Sequence, residues 1–220
     1  MIRASCLLLL VFQVSLGLAH EPEGMLAGVL FAPSEGRPKR DVTVQGLTEA
    51  EKANILDRHN MHRGDVSPSA SNMVVLQWND EIAKDAQDWA DQCIFAHNPS
   101  EDRKTDQWDW VGQNMAMGYG HSLNIYIDMW NDEKKHYNHA THKCDRGAVC
   151  GHYTQLAWAY TEFIGCGWTD CIKEGYDIFV CHYGPGGNYA SVRPYVEGTS
   201  CSRCPAGYRG GCADNLCQVG

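Results

Sequence analysis

Cys150-Gly151-His152-Tyr153-Thr154-Gln155-Leu156-Ala157-Trp158 leads through residues 164–168 to Asp177-Ile178-Phe179-Val180-Cys181-His182-Tyr183, and the fold turns on this stretch. Its first part reads as a short helix within 150–159. Residues 164–168 and 177–183 are rich in aromatic and branched side chains, which suit a pleated, half-buried surface. Lys173-Glu174-Gly175 between them is turn chemistry. The stretch therefore reads as a helix followed by two short antiparallel strands.

Towards the N-terminus the pattern becomes helical. Thr48-x-x-Glu51 is a capping box, in which hydroxyl and carboxylate satisfy the first free amides of a helix. Ala53, Leu56, His59 and Asn60 then recur on one face until Gly64. Residues 65–75, with Pro68 and several serines, read as a loop. Asp80 is placed to cap a second helix whose apolar positions are Ile82, Ala83, Ala86, Trp89, Ala90 and Cys93, at spacings of three and four. Pro99 ends that region, and the charged residues 98–110 read as a surface loop. A third helix is expected over 122–137, with Ile127, Trp130 and Tyr137 on related faces. Helices mixed with short antiparallel strands predict an α+β fold with a helix-covered sheet.

The first 40 residues stand apart. Arg3, the apolar run from Cys6 to Val14 and the small residues Gly17-Leu18-Ala19 form a secretory signal, 1–19, rather than a buried strand. Residues 20–40 lack any period and end in Arg37-Pro38-Lys39-Arg40, so they read as a propeptide cleaved after Arg40; an uncleaved arm is the plainer alternative. The domain proper is assigned to 41–198 and a cysteine-rich tail to 199–220. No later run approaches the ~18 apolar residues of a spanning helix. The formal charge of −9 speaks against nucleic acid and against attraction to anionic lipid. Of eleven cysteines, Cys6 leaves with the signal, and the ten that remain are expected to pair outside the cell. Asn98-Pro99-Ser100 is spoiled as a glycosylation site by its proline. Four cysteines among residues 201–217 mark a tail too small for a core of its own, which disulfides must hold.

Two longer motifs carry a family resemblance. Gly151-His152-Tyr153-Thr154-Gln155-Leu156-Ala157-Trp158 and Phe179-Val180-Cys181-His182-Tyr183-Gly184-Pro185-Gly186-Gly187-Asn188-Tyr189 resemble the two signatures of the CAP superfamily, which holds cysteine-rich secretory proteins, antigen 5 and pathogenesis-related protein 1. Trp78-Asn79-Asp80-Glu81, Cys93-Ile94-Phe95-Ala96-His97-Asn98 and Met129-Trp130-Asn131-Asp132-Glu133 also have counterparts there. The pattern is nearest to the peptidase inhibitor 16-like and mollusc venom branches. The resemblance implies a three-layer α-β-α sandwich with a short disulfide-held hinge after it. It implies the pairs Cys93–Cys171, Cys166–Cys181, Cys144–Cys150, Cys201–Cys212 and Cys204–Cys217, although sequence alone permits three connectivities for the four tail cysteines. Val111 and Gly184 stand where many relatives carry one more disulfide. The chain runs only to Gly220, without the larger cysteine-rich domain that members turn on ion channels, so channel block is not expected.

The resemblance also implies a cleft lined by His97, Gln113, Glu133 and His152. Position 113 usually holds Glu; Gln keeps an acceptor oxygen but carries no charge and takes no proton. His97 and His152 are candidate ligands for Zn²⁺ or another divalent ion, at a weak site because only one carboxylate stands near. The plainer reading is a hydrogen-bonded network supporting the cleft. His136-x-x-His139-x-x-His142 is a weaker metal signal, with His136 and His139 on one helical face or simply solvated. Trp108, Trp110, Trp130, Trp158 and Trp168 could line an apolar groove or fill the core. No Gly-x-Ser-x-Gly or His-Glu-x-x-His motif supplies a nucleophile or catalytic metal. The sequence therefore points to a secreted, non-enzymatic binding module for a lipid, a sterol or an extracellular protein. The alternatives are an endopeptidase or venom component working through the His/Glu cleft, and a peptidase inhibitor.

Overall fold

The computed structural model describes residues 46–220. The signal, the propeptide and the cleavage site at Arg40 lie outside the described residues. Helix α1 (Glu49–Gly64) starts at the Thr48/Glu51 capping box, with Thr48 N donating to Glu51 Oε2 at 2.9 Å. Its buried face is Ile55, His59, His62 and Arg63, while Ala53 is exposed, one step away from the expected stripe. That face is polar because His59 and Arg63 reach inward to tie other elements together, which apolar periodicity does not register.

After strand β1 (Gln77–Trp78) comes helix α2 (Asp80–Ala90). Its cap is Asn79, not Asp80: Asn79 Oδ1 accepts from the amides of Glu81 and Ile82 at 3.0 and 3.1 Å. Cys93 lies beyond the helix with φ of +56°. Strand β2 (Gly112–Gly118) has no branched or aromatic residue, so periodicity assigns nothing to it; seven register pairs with β6 make it a strand. Helix α3 (Leu123–Asp132) stops five residues short of the expected end. A 3₁₀ turn, Glu133–His136, follows, and Tyr137–Asn138 (β3) then pairs with Lys143–Cys144 (β4). Helix α4 (Gly151–Leu156) leads to the hairpin of β5 (Phe163–Cys171) and β6 (Tyr176–Gly184).

The main sheet runs β1-β5-β6-β2, with β1 parallel to β5 and the other pairs antiparallel. Alternation along β6 sorts the layers. Phe179, Cys181 and Tyr183 face a core with Ile55 of α1, Tyr126, Ile127 and Trp130 of α3 and Leu156 of α4. Ile178 and Val180 face Ala86 and Ala90 of α2. Gly165 and Gly167 let α2 lie directly on the sheet, since a Cβ at Gly165 would stand 2.3 Å from Ala83 N. The result is the α-β-α sandwich. Arg63 knots its edge: the buried guanidinium donates to carbonyls of Val74, Leu156, Trp158, Ala159 and Thr161.

Five disulfides join Cys93–Cys171, Cys144–Cys150, Cys166–Cys181, Cys201–Cys212 and Cys204–Cys217. The tail is held by more than sulfur. Strands β7 (Cys212–Ala213) and β8 (Leu216–Cys217) pair, Leu216 joins a core cluster with Met73 and Tyr153, and Cys217 exchanges backbone bonds with Met73 and Val75 at 2.8 and 3.0 Å. Gly184 explains the vacant disulfide position, because Trp108 packs on it and a Cβ there would meet the indole at 2.6 Å.

Candidate functional site

The site is a cleft of about 500 Å³. Its polar end collects His97 from the loop after α2, Gln113 and Asn114 from β2, and His152 from α4. Its other walls are Tyr137, His142, Val149, Trp158, Tyr189 and Val192.

Each cleft histidine is oriented from behind. His97 Nδ1 donates to Gln113 Oε1 at 2.6 Å, since a carboxamide oxygen only accepts. Gln113 Nε2 in turn donates to Asn98 Oδ1 at 2.8 Å and to His182 Nε2 at 3.1 Å. On the opposite side His152 Nδ1 donates to Glu133 Oε1 at 2.6 Å. Glu133 Oε2 accepts from the main-chain amides of His152 and Tyr153 at 2.9 and 3.0 Å. Cys150 gives α4 no side-chain cap, so Glu133 serves that helix from outside. Trp130 stacks on the His152 ring at 6.1 Å between centroids, with the planes 17° apart. In both histidines the Nδ1 proton is held, and Nε2 has no protein partner.

Electrostatics divide the cleft. His97 is exposed as a residue, yet its ring nitrogens sit among protein atoms, and desolvation lowers its pKa against the opposing bond to Gln113. Arg103, buried behind it, contributes in the same direction. Burial pushes His182 down to about 3. Arg103 itself donates to Val111 O at 3.0 Å and to Asn98 O, and lies 5.8 Å from the Trp110 ring. Residues 98–110 read as a surface loop, but Arg103 is buried; charge in that segment hides an inward-pointing cation.

The donor set fits a metal ion in part. An imidazole whose Nδ1 proton is held by an acceptor presents Nε2 as metal-ligating histidines do. His97 and His152 would hold Zn²⁺, which supplies Lewis acidity when bound. Among the described residues, the clusters of three or more close donors consist largely of disulfide sulfurs, and neither histidine belongs to one. The remaining histidine candidates disperse. His136 approaches Asp145, His139 stacks on Tyr195 at 4.3 Å, and they share no helical face. His142 alone of the three lines the cleft, with Nδ1 2.7 Å from the Tyr137 hydroxyl. Of the five tryptophans named from sequence, Trp158 lines the cleft. Trp130 lines a second pocket of about 350 Å³ with Met115, Met117 and Met129, and His152 borders both spaces.

The sandwich and its tetrad-lined cleft define a secreted-protein type of fold built around paired histidines. Residues 56–183 match the model of the cysteine-rich secretory protein family, CAP, and the chain belongs to that family. It is 39% identical to human (Homo sapiens) peptidase inhibitor 16 over 183 residues, covering 80% of this chain and 38% of that protein. The chain thus spans under two-fifths of that relative. It is 35% identical to horse (Equus caballus) cysteine-rich secretory protein 3 over 200 residues, 88% of this chain and 81% of the relative. Among solved structures it is similar to NaASP2 with Zn²⁺, at a TM-score of 0.64 and 24% identity, covering 79% of this chain and 97% of that one. No helix among the described residues is long and apolar enough to cross a membrane.

Proposed function

We propose that the chain is an extracellular binding module, released after loss of 1–19 and cleavage at Arg40, whose cleft holds a lipid- or sterol-like ligand. Residues 41–198 would form the binding domain and 199–220 its docked tail. One observation carries this reading: every chemically active group in the cleft is already committed, while its apolar wall is open. Glu133 spends both oxygens on three donors. Gln113 cannot titrate, the ten described cysteines are disulfide-bonded, and Thr154 Oγ1 donates to neighbouring oxygens. General-base chemistry needs a free base beside a nucleophile, and hydrolysis finds neither here. Val149, Trp158, Tyr189 and Val192 offer apolar contact instead.

Weak Zn²⁺ binding by His97 and His152 belongs to the same proposal, supported by their held Nδ1 protons. NaASP2 was solved with Zn²⁺, but at its identity it speaks for the fold alone. Two measurements on the secreted chain test the reading. A fluorescent sterol or acyl probe should bind saturably, and Val149→Trp, which fills the cleft, should weaken it at least tenfold. Zn²⁺ titration should give heat that vanishes in His97→Ala and His152→Ala. No saturable probe binding, or peptidase activity abolished by His152→Ala, would replace the binding reading.

A further inference from the structure

Position 113 sets the sign of the cleft. The resemblance leads one to expect a carboxylate there, and this chain has an amide. Among the described residues that line the cleft, none is Asp or Glu, in a chain with a formal charge of −9. The nearest carboxylate, Glu133, stands behind the His152 ring and is neutralised by three donors. On the opposite side the buried cation Arg103 has no carboxylate within ion-pair distance among the described residues; its bonds go to the carbonyls of Val111 and Asn98 and to Asn98 Oδ1. A charge buried without a counter-ion acts at longer range than one in water, because little solvent screens it. Both His97 and His182 feel this cation.

Resting on the binding reading above, we propose that the cleft selects a monoanionic amphiphile over a neutral or cationic one. The carboxylate or sulfate head would sit at His97 Nε2, and the apolar part along Val149, Trp158, Tyr189 and Val192.

The hydrogen-bond pattern fixes the pH dependence. Because Gln113 Oε1 holds the proton of His97 Nδ1, Nε2 donates to an anion only when a second proton arrives. Anion binding therefore strengthens as pH falls, whereas Zn²⁺ binding, which needs the lone pair, weakens. The groups facing His97 are Gln113 and, behind it, His182 and Arg103. Across the cleft stand His152 with its Glu133, and His142 lines the same space. Of these, the histidines alone change charge in the range used.

Decanoate, decyl sulfate, 1-decanol and decyltrimethylammonium, all below micellar concentrations, are titrated into the secreted chain by calorimetry at pH 7.5 and 5.5. The two anions should bind at least tenfold tighter than decanol at pH 5.5. Decyl sulfate, ionised throughout, should bind several-fold tighter at pH 5.5 than at 7.5, and a gain seen with decanoate alone would assign the effect to carboxylate exchange at the ligand and overturn the protonation of His97. Gln113→Glu should bring the anion-to-decanol ratio towards one and raise Zn²⁺ affinity. His97→Gln, which cannot gain a proton, should remove the pH dependence; thermal melts establish that both variants fold. Equal binding of decanol and decanoate overturns the inference while leaving the binding reading in place. Preference for the ammonium overturns it in favour of a cation cleft. Binding of none of the four removes both.

Discussion

Replacing Glu133 isolates what one carboxylate does for both fold and site. Its side chain is 14% exposed and takes three bonds: two from the first amides of α4 at 2.9 and 3.0 Å, one from the His152 ring at 2.6 Å. Hydrogen bonds to a charged group contribute about 1.5–3 kcal/mol each. With about 1.5 kcal/mol for each amide and about 1 kcal/mol for the ring contact, Glu133→Ala should cost about 4 kcal/mol. For a domain of this size that lowers Tm by about 8–16 °C. Glu133→Gln separates the roles. Its oxygen still accepts from the amides, so the cost falls to about 1–2 kcal/mol. Its NH₂, facing His152 Nδ1, demands the other tautomer and moves the ring proton to Nε2. That variant should melt within about 6 °C of the parent yet give no zinc heat. The assay is scanning calorimetry on the oxidised protein beside Zn²⁺ titration. If Glu133→Ala melts within 2 °C of the parent, or Glu133→Gln titrates zinc normally, the clasp does not do what its geometry implies.

Three further outcomes follow from the packing and the buried charges. Gly165→Ala forces a methyl to 2.3 Å from Ala83 N and 2.6 Å from Asn79 O and should cost about 3 kcal/mol by denaturant midpoint; unchanged stability would mean α2 is free to lift off the sheet. Arg63→Met strands five carbonyls and should cost about 3–5 kcal/mol, with amide exchange rising first at β1 and after α4 rather than throughout. His59 and His182 are both held at a pKa of about 3 by burial, against about 6.5 unfolded. Between those values the unfolded chain binds the extra protons, so their stabilisation is complete above about pH 6.5. It is lost on acidification at about 1.4 kcal/mol per pH unit for each histidine. A denaturant midpoint that holds level from pH 7 to 5 contradicts that burial.

The sequence discloses whatever repeats or caps. The Thr48/Glu51 box, the small-residue face of α2 and the aromatic hairpin strands are local signals, and each sits where it is read. Strand β2 is invisible because its strand character comes from lying against β6, not from its own residues. Helix α3 is read too long because His136 and Tyr137 continue an acceptable helical pattern, while the β3–β4 ladder that ends it depends on residues 143–144. At the site, motif matching brings His97, Gln113, Glu133 and His152 to attention. It says nothing of Arg103 or His182, since a buried cation and a buried neutral histidine look like ordinary surface residues until their neighbours are known. Of the spaced histidines, His142 reaches the cleft through a turn with φ of +52°, which no periodicity rule anticipates.

Cys166 and Cys181 are direct register partners on neighbouring strands, and both side chains face the α1/α3 side. Sliding β5 past β6 by one residue would turn one sulfur to the α2 side and leave the other behind, because the side-chain period is two. The bond thus works as a parity check on strand pairing: only the even alignment, with Gly165 and Gly167 under α2, can be sealed by oxidation. A chain that misaligns during folding would keep two free thiols on opposite faces, and so stay open to correction until the glycines lie beneath their helix.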